Sequence, residues 1–244
     1  MNERFPQLFW GMIALAVALL VGSVAAAMAL SNIRRAGDIV EVTGSAKRPI
    51  RADYAIWRGS LRAQQPTVVA AYQELRPQVA RVQAFLRAQG IPDSSITLSP
   101  LQTFAVPEFG AQGRETGRTL GHRVTQNIEV RSTNVDTITA LSRRANDLIA
   151  EGVALQAFSP EYLYTKLAEI RVDLLAAATA DARERARAMA TSAGGDIGGI
   201  RGARMGVFQI TPRFSTEVAD YGINDVSSVE KDITAVVRIS FAVK

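Results

Sequence analysis

The chain has 244 residues, of which 48% are hydrophobic and 21% charged, with a formal net charge of +5 and no cysteine. This composition excludes a disordered chain and a protein of many membrane spans. The lack of thiols excludes a disulfide scaffold, a cysteine nucleophile and a thiolate metal site. Any histidine-based metal site or Ser-His-Asp triad would depend on His122, the single histidine.

An apolar segment occupies the beginning of the chain. Leu8–Leu30 contains 23 residues without Asp, Glu, Lys or Arg, more than the roughly 20 residues that a helix needs to cross a bilayer. Its length and the Arg34-Arg35 pair that follows favour an uncleaved membrane anchor and flank over residues 1–35. A signal peptide that is removed after small residues such as Ala25–Ala27 is the alternative. The positive-inside rule does not give the orientation, because basic residues flank both ends.

Small residues recur at every fourth position of this segment, at Ala14, Ala18, Gly22 and Ala26. On a helix they share one face, which allows two membrane helices to approach closely. We therefore predict that this small-residue stripe contributes to self-association. The alternative is that alanine is simply common in the segment.

Residues 34–62 are locally basic, with seven Lys or Arg side chains against three acidic ones. We predict that five of them lie near lipid headgroups, namely Arg34, Arg35, Lys47, Arg48 and Arg51. A solvated face on a basic protein is the alternative. We expect no nucleic-acid partner, because the sequence lacks basic runs interleaved with aromatic residues.

Hydropathy periodicity over residues 36–244 predicts one soluble domain of alternating strands and helices. No long linker divides it, so we expect one compact unit or two closely docked lobes. The predicted strands are 39–43, 52–64, 96–104, 122–131, 155–164, 201–211 and 232–243. Strand-helix-strand order occurs twice, at 52–104 and 121–164, which indicates a weak internal duplication. The fold class predicted is therefore α+β, with antiparallel or mixed sheets packed on helices and one N-terminal transmembrane helix.

Three helices are predicted within this domain. The first is capped by Thr67 and has its apolar stripe at Val68, Tyr72, Leu75, Val79, Val82 and Leu86. The second is capped by Asn134 and has its stripe at Ile138, Leu141, Ala145 and Leu148. The third, which ends at Gly194-Gly195, has a stripe rich in alanine at Val172, Leu175, Thr179, Ala182, Ala186, Met189 and Ala193. Residues 107–119, with three glycines and a proline, are predicted to form a flexible loop.

The sequence contains few residues in arrangements typical of catalysis. The glycine-rich Gly194–Gly199 follows a helix, the wrong order for a dinucleotide site, and His122 has no recognisable carboxylate partner. Asp220, Asn224 and Asp225 surround a turn and are the candidates for a carboxylate-based hydrolase or a calcium site. We expect no catalytic residue, metal or cofactor.

Several segments in order along residues 39–243 resemble the SIMPL-domain family of bacterial envelope proteins, in particular its subgroup with one N-terminal membrane segment. They are Val42–Ala46, Ala52–Ala55, Leu86–Ile91, Gly121–Val124, the alanine-rich helix with Ala177, Ala182, Arg183 and Ala186, Met205–Thr211, Tyr221–Asp225 and Glu230–Val237. Ser45-Ala46 departs from the family, where many members have a second glycine or an acidic residue.

The resemblance implies an α+β protein of the periplasm or outer envelope, with relatives that form rings or channel-like oligomers and a loose link to oxidative-stress tolerance. It implies no catalytic residues. The expected function is a non-catalytic, homo-oligomeric scaffold, held in the inner membrane by a single span with its domain in the periplasm, or secreted there after cleavage. A small-molecule-binding or stress-sensing module, closed by the 107–119 loop, is the alternative, followed by a hydrolase. The expected partners of the protein are further copies of the chain and membrane lipids. The sequence does not identify a small-molecule ligand.

Overall fold

A computed structural model describes residues 5–35, 39–217 and 219–244, and the side chains in those ranges except 5–8 and 29–35. The helices are α1 (Phe5–Arg35), α2 (Val68–Ala88), α3 (Val135–Arg144), α4 (Asp147–Ala150) and α5 (Leu167–Ser192). The strands are β1 (Ile39–Arg51), β2 (Tyr54–Gln65), β3 (Ile96–Leu98), β4 (Gln102–Phe109), β5 (Glu115–Ser132), β6 (Leu155–Ala157), β7 (Glu161–Leu163), β8 (Ile197–Met205), β9 (Gln209–Pro212) and β10 (Glu230–Val243). The α+β fold class is confirmed.

The strands form two sheets. The six-stranded sheet has the order β3-β5-β2-β6, with β4 also paired to β5 and β7 to β2, and these pairings are antiparallel. The four-stranded sheet has the order β1-β10-β8, with β9 paired to β10. The chain divides into two compact units, which we call the alanine unit (39–46, 173–207 and 235–244, together with the N-terminal segment) and the large-core unit (47–172 and 208–234).

The large-core unit packs α2 and α3 against the six-stranded sheet. On β2 every second residue is buried, from Ala55 through Trp57 and Leu61 to Ala63. Thr67 caps α2 as predicted, since its hydroxyl accepts a hydrogen bond of 3.2 Å from the Ala70 nitrogen. The fully or nearly fully buried side chains of this core also include Leu75, Val82, Leu86, Val124, Ile128, Val130, Ile138, Leu141 and Leu148.

The alanine unit is built around α5. Its buried residues are Leu174, Ala178, Ala182, Ala186 and Ala190. The predicted stripe is confirmed at Ala182 and Ala186 and wrong at Val172 and Met189, which are 72% and 55% exposed. Ala178 and Ala182 lie directly against Gly44 of β1. The small side chains allow this close approach.

Several predicted strand boundaries are wrong. β1 continues to Arg51 through Pro49, which an edge strand tolerates because its outer N–H groups need no partner. The predicted strands 96–104, 155–164 and 201–211 are each interrupted, at 99–101, 158–160 and 206–208. Proline lies in the first two interruptions and glycine in the third.

The flexible loop predicted at 107–119 is also wrong. β4 runs to Phe109 and β5 begins at Glu115, so only 110–114 form the turn. β2 pairs with β5 only from His122 to Ser132. β4 pairs with that part of β5 through residues 102–105 and continues beyond it. Residues 106–121 therefore form a two-stranded hairpin, which we call the β4–β5 arm.

Candidate functional site

Polar side chains line the face of the six-stranded sheet opposite its core. Arg58 of β2 pairs in register with Glu129 of β5, and Glu129 pairs with Thr97 of β3. Residues opposite one another on neighbouring strands project from the same face and are close enough to interact. This row therefore places a hydroxyl, a carboxylate and a guanidinium side by side.

Arg58 is at the centre of a network of ion pairs. Its Nε donates to Glu129 Oε2 at 2.8 Å, and its Nη1 donates to Glu161 of β7. The second oxygen of Glu129 accepts from Arg131 Nε. The hydrogen bond from Arg58 is the main reason that the pKa of the Glu129 carboxyl is lowered, and the same bond raises the pKa of Arg58. The four side chains alternate in sign, and their formal charges cancel.

A groove of about 430 Å³ opens beside this network. It is lined by Arg58, Gly59, Thr97, Ser99, Asn127, Ile128, Glu129 and Phe158. Phe158 follows β6 and is 47% exposed, and its backbone nitrogen donates to the Arg58 carbonyl at 3.0 Å. The groove combines an aromatic wall with several polar groups, and its volume falls within the range of about 300–1,000 Å³ typical of small-molecule sites.

The sequence did not indicate this groove. The two carboxylates of the network, Glu129 and Glu161, lie 71 and 103 positions after Arg58 in the chain. The alternation of polar and apolar residues on β2 was the available signal, since it placed Arg58 on the face opposite Trp57. The partners of Arg58 depend on the strand register, which the sequence does not give.

Asp225 belongs to a different cluster, which we call the Lys231 clamp. Its Oδ1 accepts from the nitrogen and hydroxyl of Ser227, and its Oδ2 accepts from the Ser228 nitrogen and from Lys231 Nζ at 2.8 Å. Lys231 is fully buried and also donates to the Asp225 carbonyl. Burial raises the pKa of the Asp225 carboxyl, but the hydrogen bonds from Lys231 and the two serines outweigh it and hold that pKa well below its ordinary value. These contacts tie the segment 225–228 to β10.

The other two proposed ligands, Asp220 and Asn224, do not join this cluster. Asp220 is exposed, and the Asn224 backbone forms an isolated bridge with Ile210. Among the described residues, no group of three His, Asp or Glu side chains could hold a metal ion. The charged partner of Asp225 is Lys231, whereas the hydrolase hypothesis requires a second carboxylate near it.

The small-residue stripe lies on an exposed helix. Residues 9–28 of α1 form a 20-residue segment that is long and apolar enough to cross a membrane, and none of it is buried. Length and composition fit both an anchor and a signal peptide. A Cβ placed on Gly22 would meet no atom within 4 Å. The role of Ala14, Ala18, Gly22 and Ala26 in self-association stays a prediction.

Two of the basic residues proposed to face lipid, Lys47 and Arg51, have acidic partners in the protein. Arg51 lies 2.6 Å from Asp136 and 3.1 Å from Glu230, and Lys47 lies 3.8 Å from Asp232. Arg48 is half-buried. The side chains of Arg34 and Arg35 lie outside those that the structure describes. Contact of these five residues with headgroups stays a prediction.

Comparisons with known proteins give one specific result. The model of the SIMPL family, described as "Protein of unknown function (DUF541)", matches residues 40–241, which confirms the predicted resemblance. No curated protein gives a significant sequence match. The crystal structure of an uncharacterized conserved protein from Listeria innocua is similar over 78% of this chain and 91% of its own, with 13% identity and a TM-score of 0.20. Similarity at that level carries no argument about function.

Proposed function

Because the chain belongs to the SIMPL family, we propose that it is a membrane-anchored, non-catalytic scaffold of the bacterial cell envelope. In this proposal α1 crosses the inner membrane once, the remainder lies in the periplasm, and several copies assemble into a ring or channel-like oligomer. A role in oxidative-stress tolerance belongs to the same proposal. The exposed apolar helix is the observation that carries it.

The dimensions of α1 support an anchor. Twenty helical residues span roughly 30 Å, about the thickness of a bilayer core. Phe9 and Trp10, which are 63% and 67% exposed, meet edge to face at 6.3 Å between ring centroids at the start of that segment. Aromatic residues are enriched at membrane interfaces, so this pair suits the boundary between headgroups and lipid tails.

The β4–β5 arm supports self-association. A two-stranded hairpin is marginally stable in water when nothing packs on it. Phe109 and Leu120 are each 60% exposed on this arm. Large apolar residues exposed on a hairpin suit a contact surface, and further copies of the chain are the partner that the proposal assigns.

The charged clusters favour a structural role over catalysis. The carboxyls of Glu129, Asp181 and Asp225 all have a lowered pKa. A hydrogen bond from Arg58 lowers the pKa of Glu129. At Asp225 burial raises the pKa, but hydrogen bonds from Lys231 and two serines outweigh it. The Ser45 nitrogen and then Arg185 lower the pKa of Asp181. A lowered pKa produced in this way keeps a carboxylate charged and paired. A general base or acid instead needs a pKa near the working pH.

The experiment replaces two residues of the small-residue stripe in the full-length protein. Ala18→Leu with Gly22→Leu adds bulk on that face, where the helix itself leaves open space at Gly22. Ala16→Leu with Ala27→Leu is the matched control, because at 3.6 residues per turn both lie roughly opposite Ala18. Detergent-extracted protein is measured by native mass spectrometry, and its intact mass shows whether α1 is retained.

We expect the wild type and the control to be oligomers and the stripe variant to dissociate into smaller species. Close packing of small residues is what holds membrane helices together, so added bulk there should weaken association. A wild-type monomer would overturn the scaffold proposal. An intact mass that lacks the N-terminal residues would show that α1 is cleaved and would overturn the membrane-anchor proposal. An oligomer of unchanged size in the stripe variant would show that the small-residue stripe is not part of the interface.

A further inference from the structure

We propose that the groove beside Arg58 binds a neutral saccharide, as a site on the large-core unit that is independent of the scaffold role. The argument uses the charge balance of the network, the polar groups left over for a ligand, and the aromatic wall.

The charge balance disfavours an ionic ligand. A bound anion would lie near Arg58 but also near Glu129 and Glu161, and a bound cation would meet Arg58 and Arg131. Either ion would be attracted by the side chains of opposite charge and repelled by those of like charge, so little net electrostatic attraction remains. A neutral ligand with many hydroxyl groups does not have this conflict, because each hydroxyl can both donate and accept.

Polar groups at the groove remain available for such a ligand. Arg58 has five N–H donors, two of which are used by Glu129 and Glu161. Within the described ranges, the Thr97 hydroxyl and the Asn127 side-chain amide form no hydrogen bond with the protein. Asn127 can donate and accept at once, and Thr97 adds a hydroxyl beside Glu129. Together they offer donors and acceptors in the mixture that a sugar ring needs.

Phe158 supplies the apolar contact. One face of a pyranose ring consists largely of C–H groups, which pack well on an aromatic face. Phe158 is half exposed at the wall of the groove, and the hydrogen bond from its nitrogen to the Arg58 carbonyl fixes its backbone beside the network. The volume of about 430 Å³ accommodates a mono- or disaccharide and the water that accompanies it. A fully apolar ligand would leave Asn127 and Thr97 without partners, at a cost for each buried polar group.

The test titrates two disaccharides, maltose and diacetylchitobiose, against the full-length protein. The detergent must have no sugar headgroup, so that it does not compete for the groove. Saturation-transfer NMR detects contact, and calorimetry gives the dissociation constant. Phe158→Ala removes the aromatic wall, and Phe109→Ala, at a phenylalanine of the β4–β5 arm that is 60% exposed, is the matched control. Thr97→Val removes one exposed hydroxyl while it keeps strand propensity.

We expect at least one disaccharide to bind with a dissociation constant of about 1 mM or lower. Phe158→Ala should weaken binding about fivefold, in line with the worth of one aromatic contact, and Thr97→Val about threefold. Phe109→Ala should bind as the wild type does.

Three results would overturn the proposal. The first is no saturation with either sugar. The second is affinity that neither Phe158→Ala nor Thr97→Val changes while circular dichroism shows both to be folded. The third is Phe158-dependent binding of spermine or citrate in place of the sugars, which would make the groove an ion site. Binding is measured per chain, so its failure is distinct from a failure to oligomerise.

Discussion

Helix α2 packs on its sheet through leucine and valine side chains, whereas α5 lies against β1 through alanines. In the large-core unit, Leu75, Val82 and Leu86 fill the space between helix and sheet. In the alanine unit, Ala178 and Ala182 bring the helix backbone so near that a Cβ on Gly44 would lie 2.5 Å from the Ala182 nitrogen and closer still to the Ala178 carbonyl oxygen. Large side chains fill the interface between α2 and its sheet, whereas the interface between α5 and β1 depends on the close approach of their backbones.

The two units also differ in their ion pairs. The large-core unit buries the Lys231 clamp, whose side chains are 0% and 7% exposed. The alanine unit keeps Asp181 and Arg185 near solvent, 2.9 Å apart and 31% and 57% exposed. Because removal of one partner from a buried pair leaves an uncompensated charge, the two pairs should respond very differently to substitution.

Lys231→Met should have the largest effect. It leaves the Asp225 carboxylate buried without its cation, and we expect a loss of about 3–5 kcal/mol in the free energy of unfolding. Urea denaturation measures this loss. Lys47→Met is the control, because Lys47 also pairs with an aspartate of this unit but is 49% exposed, and it should cost less than about 1 kcal/mol. Equal losses for the two variants would show that the clamp is not the stabilising contact that its burial implies.

The same clamp predicts the direction of the acid response. Because the pKa of Asp225 is lower in the folded protein than in the unfolded chain, its contribution is fully present above the unfolded value of about 4. That contribution is lost as the pH falls through the folded value. Wild-type stability should therefore fall more steeply than that of Lys231→Met below about pH 4. If the free energy of unfolding fell equally steeply with pH in the two proteins, the stabilising role of the Asp225–Lys231 pair would be contradicted.

Gly44→Ala should have the next largest effect and tests backbone proximity directly. A single methyl group cannot fit between β1 and α5 unless the helix moves, and overpacking of this kind costs about 2–3 kcal/mol. Gly199→Ala on β8 is the control, since a Cβ there meets nothing within 4 Å. We expect a clear drop in the urea midpoint for the first variant alone. A small effect at Gly44 would mean that α5 lies farther from β1 than the structure shows.

Asp181→Asn should have the smallest effect. The amide oxygen can still accept from the Ser45 nitrogen, which lies 2.8 Å from the carboxylate, and only the exposed charge pair with Arg185 is lost. The expected cost is below about 1 kcal/mol. Asp173→Asn, on an exposed position of the same helix, controls for the change of charge. A loss near that of Lys231→Met would overturn the contrast between the two pairs.

The sequence predicted features that depend on neighbouring residues. The caps at Thr67 and Asn134 are confirmed by hydrogen bonds of 3.2 and 3.1 Å to backbone nitrogens three residues on. Gly194 has a positive φ where the third helix was predicted to end. Each of these signals acts within one turn of helix, so it is visible in a short stretch of sequence.

Tertiary structure decided what depends on distant segments. A proline usually ends a strand, but β1 continues through Pro49 because that strand lies at a sheet edge. The glycines of 107–119 suggested a loop, but only Gly110 and Gly113 lie in the turn, and Gly117 lies within β5. Hydropathy does not specify which face of α5 packs on Gly44, because alanine is compatible with both buried and exposed positions. The close contact with β1 specifies that face.

The membrane-length helix, the cysteine-free composition and the family resemblance were therefore determined by the sequence alone. The groove was not, since Arg58 meets Glu129 and Glu161 only after β2, β5 and β7 have paired in one register. Strand pairing joins residues far apart in the chain through backbone hydrogen bonds that every residue type except proline can make. For that reason side-chain patterns specify which face of a strand is buried, while the position of its neighbour is fixed only when the whole core packs.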